Sequence, residues 1–381
     1  MRIKNGQDYK NFEENEGYPV IGSGGCFAHC SKYLYDGEAL LLGRKGTIDR
    51  PLYIKGKFWT VDTMFYAVPK RKDVDVKFLY YQSQTIPFDK YSTSTALPSM
   101  TQTDLGYHIF CIPPLSEQRA IASYLDERCG LIDKAIATQR RRIELLQELR
   151  QNIITRVVTH GINPNVPLKD SGVEWIGKVP SHWKYLRLRF VCKIRNGYTP
   201  SKANPAFWTN GTIPWYRMED IRENGHILKD AKQYITKEAV KGDGLFEAGS
   251  FILATTATIG EHAMLIVDSL ANQQFTNLKI CKSLKNFVSQ KFFYYYLFLI
   301  DEYCKSTTRT ATFPAVNMED LKNFFVLIPT LGEQKEIVEF IEKHISRIQN
   351  SLSIADKQIS FLQELKQSII TEAVTGKIKV C

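Results

Sequence analysis

The chain has 381 residues, 44% of them hydrophobic and 24% charged, and carries a formal net charge of +10 at pH 7. That length holds two domains with a core each, and the composition excludes a disordered chain. Because Lys and Arg recur through both halves, a polyanion is the natural partner, with nucleic acid first among the candidates. The longest strongly apolar run, Phe292–Ile300, is too short to cross a bilayer as a helix. No secretory leader pattern is expected at the start, and eight scattered cysteines suit a reducing cytoplasm, so no membrane partner is expected.

The first domain is expected over residues 1–113. Its short Tyr-, Phe-, Val- and Ile-rich stretches, broken by glycine turns such as "IGSGG", read as strands of a compact α+β domain. Cys26, His29 and Cys30 are conceivable zinc ligands, but no second Cys/His cluster completes a set of four, so ordinary loop thiols are expected and no metal is assigned. DNA recognition requires cations that meet phosphates and planar donors that read base edges. Arg44 and Lys45, in the glycine-flanked turn "GRKGT", are the best basic group here, and Ser23, Gly24, Gly25 and Thr47 can add polar or backbone contacts.

A long helix is predicted over residues 114–160. A seam of alternating four- and three-residue steps runs through Leu125, Cys129, Ile132, Ile136, Gln139, Ile143, Leu146, Arg150, Ile153 and Val157. Ser116 is the expected N-cap. A linker at 161–170, "GINPNVPLKD", follows, and a second α+β domain is expected over 171–329.

In that domain Tyr198, Thr199, Ser201 and Lys202 follow an Asn-Gly turn, and Trp215 and Arg217 follow "IP". Thr255, Thr256 and Thr258 match Arg44, Lys45 and Thr47 of the first domain. Asn272, Gln273 and Gln274 are candidate amide readers, and Lys305, Thr307, Thr308 and Arg309 form a polar basic loop. All are candidate DNA contacts; the plainer reading makes them solvated turns and caps.

The second long helix is predicted over 330–376, with Gly332 in the N-cap place. Its seam is Ile341, Ile345, Ile348, Leu352, Ala355, Ile359, Leu362, Lys366, Ile369 and Ala373. The two helices repeat one another. Ile112–Ile162 aligns without a gap on Ile328–Ile378, and 19 of 51 pairs are identical, where average usage gives about three by chance. A rod of this kind cannot bury its seam alone, so the two copies are expected to pair antiparallel, with the globular segments separated by them. Lengthening the helices by one heptad should then alter the spacing of whatever the two domains read.

The repeat extends upstream. Pro98, Asp104 and Leu105 align with Pro314, Asp320 and Leu321; Thr47 and Ile48 lie over Thr258 and Ile259; and "RIKNG" at Arg2 matches "KIRNG" at Lys193. Only the second copy of that last motif follows a lead-in segment, "DSGVEWIGKVPSHWKYLRLRFVC". Either the first domain is shortened or an upstream piece is missing from this sequence, and the first domain is then expected to be less well closed at its N-terminal edge.

Together these fragments resemble the specificity subunit of type I restriction–modification systems. The resemblance rests on "DSGVEWIGKVPSHW", "NGTIPW", "TATIG" with "ANQQF", and the doubled "IP…EQ" and "LQEL…IIT", and it covers nearly the whole chain. It implies two target-recognition domains reading a bipartite double-stranded DNA site, and helices that dock modification (methyltransferase) subunits, two being expected. S-adenosylmethionine would then bind those subunits, and ATP and Mg²⁺ a restriction subunit where one is present, leaving no cofactor for this chain. Two departures stand out: the absent lead-in, and Asp49 where the second copy has Gly260, which should alter only a turn.

The residues themselves favour a non-catalytic reading. Neither an "NPPY"-type amino-group pocket nor a "GxxxxGK[ST]" phosphate loop occurs, and the "MED" clusters at Met218 and Met318 lack a lysine at nuclease-like spacing. Two other functions stay open at this point: an enzyme that modifies or cleaves DNA alone, and a coiled-coil scaffold without DNA binding. Because a basic pair in one domain faces a threonine pair in the other, the target is expected to be asymmetric.

Overall fold

A computed structural model describes residues 1–92, 98–173, 176–307 and 315–380. The chain is α+β and divides into two units, Met1–Ile143 with Ser353–Cys381, and Glu144–Leu352. Each unit takes part of both long helices.

In unit 1, seven strands form one sheet in the order β1-β7-β5-β6-β3-β4-β2: β1 Arg2–Asn5, β2 Glu13–Glu14, β3 Tyr18–Gly22, β4 Gly25–Cys30, β5 Tyr35–Gly43, β6 Leu52–Thr60 and β7 Met64–Val68. Only β3 and β6 pair in parallel. Strand period two explains the leucine run of β5. Leu40 and Leu42 pack with helix α1 (Val76–Ser83) and with Ile121 and Leu125, whereas Ala39 and Leu41 join Ile21, Phe58 and Met64 in a second core. Helices α2 (Phe88–Tyr91) and α3 (Gln102–Tyr107) complete the globular part.

The long helix α4 runs Leu115–His160, 46 residues, or about 69 Å at 1.5 Å per residue. Every position of both predicted seams is buried or half-buried. Within unit 1, Ile121, Leu125 and Cys129 of α4 share a core with Ile370, Ala373 and Val374 of the second long helix, and Lys366 reaches Asp133 at 2.7 Å. Rising numbers on one helix meet falling numbers on the other, so the pairing is antiparallel. Lys366, a polar seam position, is thus satisfied by a carboxylate; its counterpart Arg150 in unit 2 lies 5.6 Å from the Phe298 ring.

Unit 2 opens with β8 (Leu168–Asp170), β9 (Lys178–Pro180), β10 (Lys184–Arg187), α5 (Leu188–Val191) and β11 (Cys192–Asn196). There follow β12 (Ile213–Tyr216), α6 (Met218–Asn224), β13 (Ile227–Leu228), β14 (Tyr234–Ile235), β15 (Phe251–Ala254), β16 (His262–Leu265), β17 (Leu270–Ala271) and β18 (Phe275–Ile280). Helices α7 (Gln290–Thr307) and α8 (Met318–Asn323), strand β19 (Phe325–Ile328) and the long helix α9 (Leu331–Val374) complete the chain. A five-stranded sheet, β11-β18-β15-β16-β13, is its centre, beside the three-stranded β14-β12-β17. The apolar run Phe292–Ile300 is a core helix within α7, and no helix of the described residues is long and apolar enough to cross a membrane. Ile154, Val157 and Val158 near the end of α4 pack with Ile337, Val338, Ile341 and Ile345 in the first half of α9.

The helix starts differ from the expected caps. The helices begin at Leu115 and Leu331, so Pro114 and Thr330, not Ser116 and Gly332, hold the N-cap places. Thr330 and Glu333 explain the second case by a reciprocal box. The Thr330 hydroxyl accepts from the Glu333 amide (3.3 Å), and the Glu333 carboxylate accepts from the Thr330 amide (3.0 Å), which satisfies two donors the helix leaves free.

The glutamine of each "EQ" pair is a buried clasp. Gln334 Nε2 donates to the carbonyls of Phe287 (2.7 Å) and Pro329 (2.9 Å), and its Oε1 accepts from the Ser289 amide (2.8 Å). Gln118 repeats the arrangement on Asp73 (3.0 Å), Pro113 (2.7 Å) and the Asp75 amide (2.8 Å). In each unit one amide side chain ties the start of a long helix to the globular part.

Candidate nucleic-acid interface

Each unit builds the same loop rim from the same backbone bonds. In unit 2 the Gly197 amide donates to Phe275 O (2.8 Å), and the Thr255 amide to Gln274 O (2.9 Å). In unit 1 the Gly6 amide donates to Met64 O (3.0 Å), and the Arg44 amide to Thr63 O (2.8 Å). Thr256 bridges to Ala315 as Lys45 does to Ser99. The next residue has positive φ in both turns, Ala257 at 63° and Gly46 at 82°.

These bonds set Arg44, Lys45 and Thr47 over Thr255, Thr256 and Thr258. They also set Val61, Asp62 and Thr63 over Asn272, Gln273 and Gln274. The Asn-Gly motif that starts each rim has a steric cause: a Cβ at Gly6 would stand 2.0 Å from Val61 O, and one at Gly197 2.2 Å from Asn272 O.

In unit 1 the rim is cationic and open. Arg44 is half-buried, with Nη1 donating to Asp62 O (3.3 Å), while Lys45 is exposed. Ser23 joins them, because its Oγ lies 3.4 Å from where a Cβ at Gly46 would sit. Ser23, Gly24 and Gly25 also line an open hollow of about 830 Å³ with Tyr9, Lys10 and Asp62. Phe27, exposed at its edge, stacks edge-on against Tyr9 at 5.5 Å. Lys10, Asp62, Thr63 and Phe27 were not among the candidates read from the sequence. The segment 61–63 has no residue in common with 272–274, so only the hydrogen-bond pattern relates the two.

In unit 2 the positions that match Arg44, Lys45 and Thr47 are uncharged threonines. Thr199 Oγ1 donates to Gln273 Oε1 (2.5 Å), and the Asn272 side chain accepts from the Gln274 amide (3.0 Å) and donates to the Gln274 side chain (3.2 Å). Gln273, Ser201 and Lys202 are exposed, and Thr256 and Thr258 half-buried. Thr255 is buried against Thr276 (3.0 Å), inside the rim wall. Lys305 crosses the turn: its Cε is 2.7 Å from the place a Cβ at Gly260 would take. That crowding fits glycine at 260, where unit 1 has an exposed Asp49. Beneath the turn, buried His262 bonds the Asp301 carboxylate of α7, and burial pushes that carboxyl up.

Other sequence candidates support the rim from behind. Trp215 is 2% exposed and donates from Nε1 to Tyr198 O (3.0 Å), which places it in the core and not at a DNA-facing surface. The physical reason is that its ring joins the core cluster around β12 and meets Trp208 edge-on at 5.1 Å, and all four residues of β12 are buried. Tyr198 is also engaged, its hydroxyl donating to Ala239 O (3.2 Å) and accepting from the Lys241 amide (2.8 Å). Arg217 pairs with Glu219 and covers Trp215. Thr307 donates to Tyr303 O (3.1 Å) at the end of α7. Thr308 and Arg309 lie outside the described residues.

Cys26 and His29 are exposed on β4, while Cys30 is buried and its thiol donates to Lys32 O. Among the described residues no group of three or more His, Cys, Asp or Glu side chains could hold a metal ion.

Comparison with known proteins matches the family profile "Type I restriction modification DNA specificity domain" at residues 2–147 and 180–355. The chain is 40% identical over 210 residues to the type I restriction enzyme EcoprrI specificity subunit of Escherichia coli, covering 51% of this chain and 52% of that protein. It is 24% identical over 361 residues to the type I restriction enzyme MjaVIII specificity subunit of Methanocaldococcus jannaschii, covering 91% of this chain and 78% of that protein. The chain thus spans about half the length of the E. coli relative. A solved chain described under "Structural basis underlying complex assembly and conformational transition of the type I R-M system" shares the fold, with a TM-score of 0.72 at 14% identity over 98% of this chain and 97% of that one.

Proposed function

Since the chain belongs to the type I restriction–modification DNA specificity domain family, we propose that it is the non-catalytic DNA-recognition subunit of such a complex. Its two units read the two parts of an asymmetric double-stranded target. The observation that carries this reading is the doubled rim: one backbone design, held by the same hydrogen bonds, presents Arg44 and Lys45 in one unit and Thr256, Thr258 and Gln273 in the other. A fixed scaffold with exchanged side chains suits readers of two different sequences. Arg and Lys meet phosphates and guanine edges, whereas amides and hydroxyls suit adenine and mixed edges.

In this reading Lys10, Ser23 and Lys202 position the backbone, and Phe27 supplies an apolar contact. The paired helices dock methyltransferase subunits, which carry S-adenosylmethionine and the chemistry; a restriction subunit, where present, carries ATP and Mg²⁺. Purified chain given DNA, Mg²⁺ and a methyl donor is expected to show no turnover, whereas cells expressing it with its modification subunits should gain methylation at one bipartite motif. Turnover by the chain alone, or no new motif in cells, would overturn the proposal.

A further inference from the structure

In unit 2 the turn that matches residues 44–47 is closed on itself. The Ala254 amide donates to Glu261 O (2.7 Å), and the Gly260 amide to Ala254 O (3.1 Å). Its two sides are anchored differently. On one, the Val316 amide donates to Thr255 O (2.8 Å), as the Met100 amide does to Arg44 O (2.9 Å) in unit 1. On the other, the turn leads into His262, the first residue of β16, whose Nδ1 bonds the Asp301 carboxylate of α7. One helical turn further along α7, Lys305 crosses Gly260, and Asp301 O stands 2.8 Å from where a Cβ at Gly260 would sit.

Unit 1 cannot repeat this tie. Pro51 takes the place of His262 there, and its side chain has no group to bond. In unit 2 the pair sits where polar groups are costly. His262 is 0% and Asp301 7% exposed, and the imidazole is enclosed by the rings of Phe298 (4.5 Å), His226 (5.2 Å) and Tyr294 (5.5 Å). His226 Nδ1 donates to the His262 carbonyl (2.7 Å), while His262 Nε2 and Asp301 Oδ1 have no hydrogen-bond partner among the described residues. A buried pair of this kind adds little or no stability over apolar side chains of similar size. What it adds is direction: one bond fixes the exit of the turn, and the same helix sets Lys305 across it.

We propose that His262 and Asp301 are positioning residues for recognition by unit 2, holding the turn of Thr256 and Thr258 and the exposed Lys305 together as one DNA-facing surface. Neither residue of the pair touches DNA. The threonine hydroxyls meet base edges or phosphates, and Lys305 places a cation beside them. A reading group must be held to within about 0.5 Å of its productive place, which a turn anchored on one side alone does not ensure. The proposal rests on the DNA reading of the rims and assigns what keeps one of them in shape.

The test compares the full chain with three variants, in cells with the modification subunits and as purified protein. In His262→Leu, Asp301→Leu the pair becomes apolar, so thermal melting is expected to be unchanged or higher. Base preference in the half-site of unit 2, the half that persists in Arg44→Thr, Lys45→Thr, is expected to fall about tenfold while the other half is kept. Hydrogen exchange at the Ala254 and Gly260 amides should quicken about tenfold with Ser289 unchanged, whereas a merely structural role would quicken all three. Asp301→Asn keeps an oxygen that accepts from Nδ1, and should keep both the motif and the slow exchange. Gly260→Ala leaves the pair in place but drives the turn off α7; it should degrade the same half, and decides the matter even if the double variant does not fold. Unaltered unit 2 preference in a folded double variant or in Gly260→Ala would overturn the proposal, as would Asp301→Asn behaving like the double variant. No motif from the unaltered chain would instead overturn the DNA reading, and the exchange measurement would still show whether the pair holds the turn.

Discussion

Replacing Gln334 by Ala should loosen unit 2 selectively. The side chain is fully buried and makes three bonds, one in a buried environment and two partly buried. Removal strands the Ser289 amide and takes a donor from each of two carbonyls. A buried group left unsatisfied costs about 1–3 kcal/mol, and water can reach Ser289 and Phe287 more easily than Pro329, so the expected loss is about 2–3 kcal/mol. Gln334→Glu, nearly isosteric, should be at least as damaging, because an acceptor then faces two carbonyl oxygens. Urea unfolding gives the loss, and hydrogen exchange assigns it: the Ser289 amide should exchange faster while Asp75 is unchanged. Gln118→Ala should produce the reverse, with Asp75 accelerated and Ser289 unaffected. A loss under about 0.5 kcal/mol, or equal acceleration of both amides in each variant, would refute the clasp.

Further outcomes follow from single contacts. Burial alone would raise the Glu333 carboxyl, but hydrogen bonds from Trp183, His182 and Thr330 overcome it and hold it at about 2. The stability this gives is full above the ordinary carboxylate range and is lost as pH falls toward about 2, so Glu333→Gln should flatten the acid limb of a stability–pH curve. Lys366→Met removes a partly exposed ion pair with Asp133 from the seam. It should change unfolding free energy by less than about 1 kcal/mol, and a loss of several would mean that the pair holds the helices together. Ala257→Gly relieves a left-handed residue and should stabilise unit 2 by about 0.5–1 kcal/mol, the strain relieved less the added freedom of the unfolded chain. An unchanged or lower melting temperature would count against strain at that turn.

Helix period and internal identity carried most of the fold into view from the sequence. Steps of four and three marked a seam that is buried or half-buried throughout, and "EQ" marked both helix starts without revealing that the glutamine is a clasp. Both caps were misplaced by two residues, the second because a hydroxyl at Thr330 and a carboxylate at Glu333 form a reciprocal pair that composition alone does not display. The turn match of Arg44, Lys45 and Thr47 with Thr255, Thr256 and Thr258 was legible through Thr47 and Ile48. Its other wall was not, since Val61–Thr63 and Asn272–Gln274 share backbone bonds and no side chain. Trp215 looked like a surface reader beside Arg217, but the core of unit 2 buries it against residues such as Trp208, and core neighbours are a tertiary fact. The lead-in before "KIRNG" was visible as a stretch outside the repeat; that it pairs antiparallel with β19 required the structure.

The central claim, that each rim reads its own part of the target, is tested most directly by mapping methylated sites in cells expressing the modification subunits with either the unaltered chain or the Arg44→Thr, Lys45→Thr variant. The account predicts that one half of the bipartite motif is altered or lost while the other half persists. An unchanged motif, or simultaneous change of both halves in a folded variant, would contradict it.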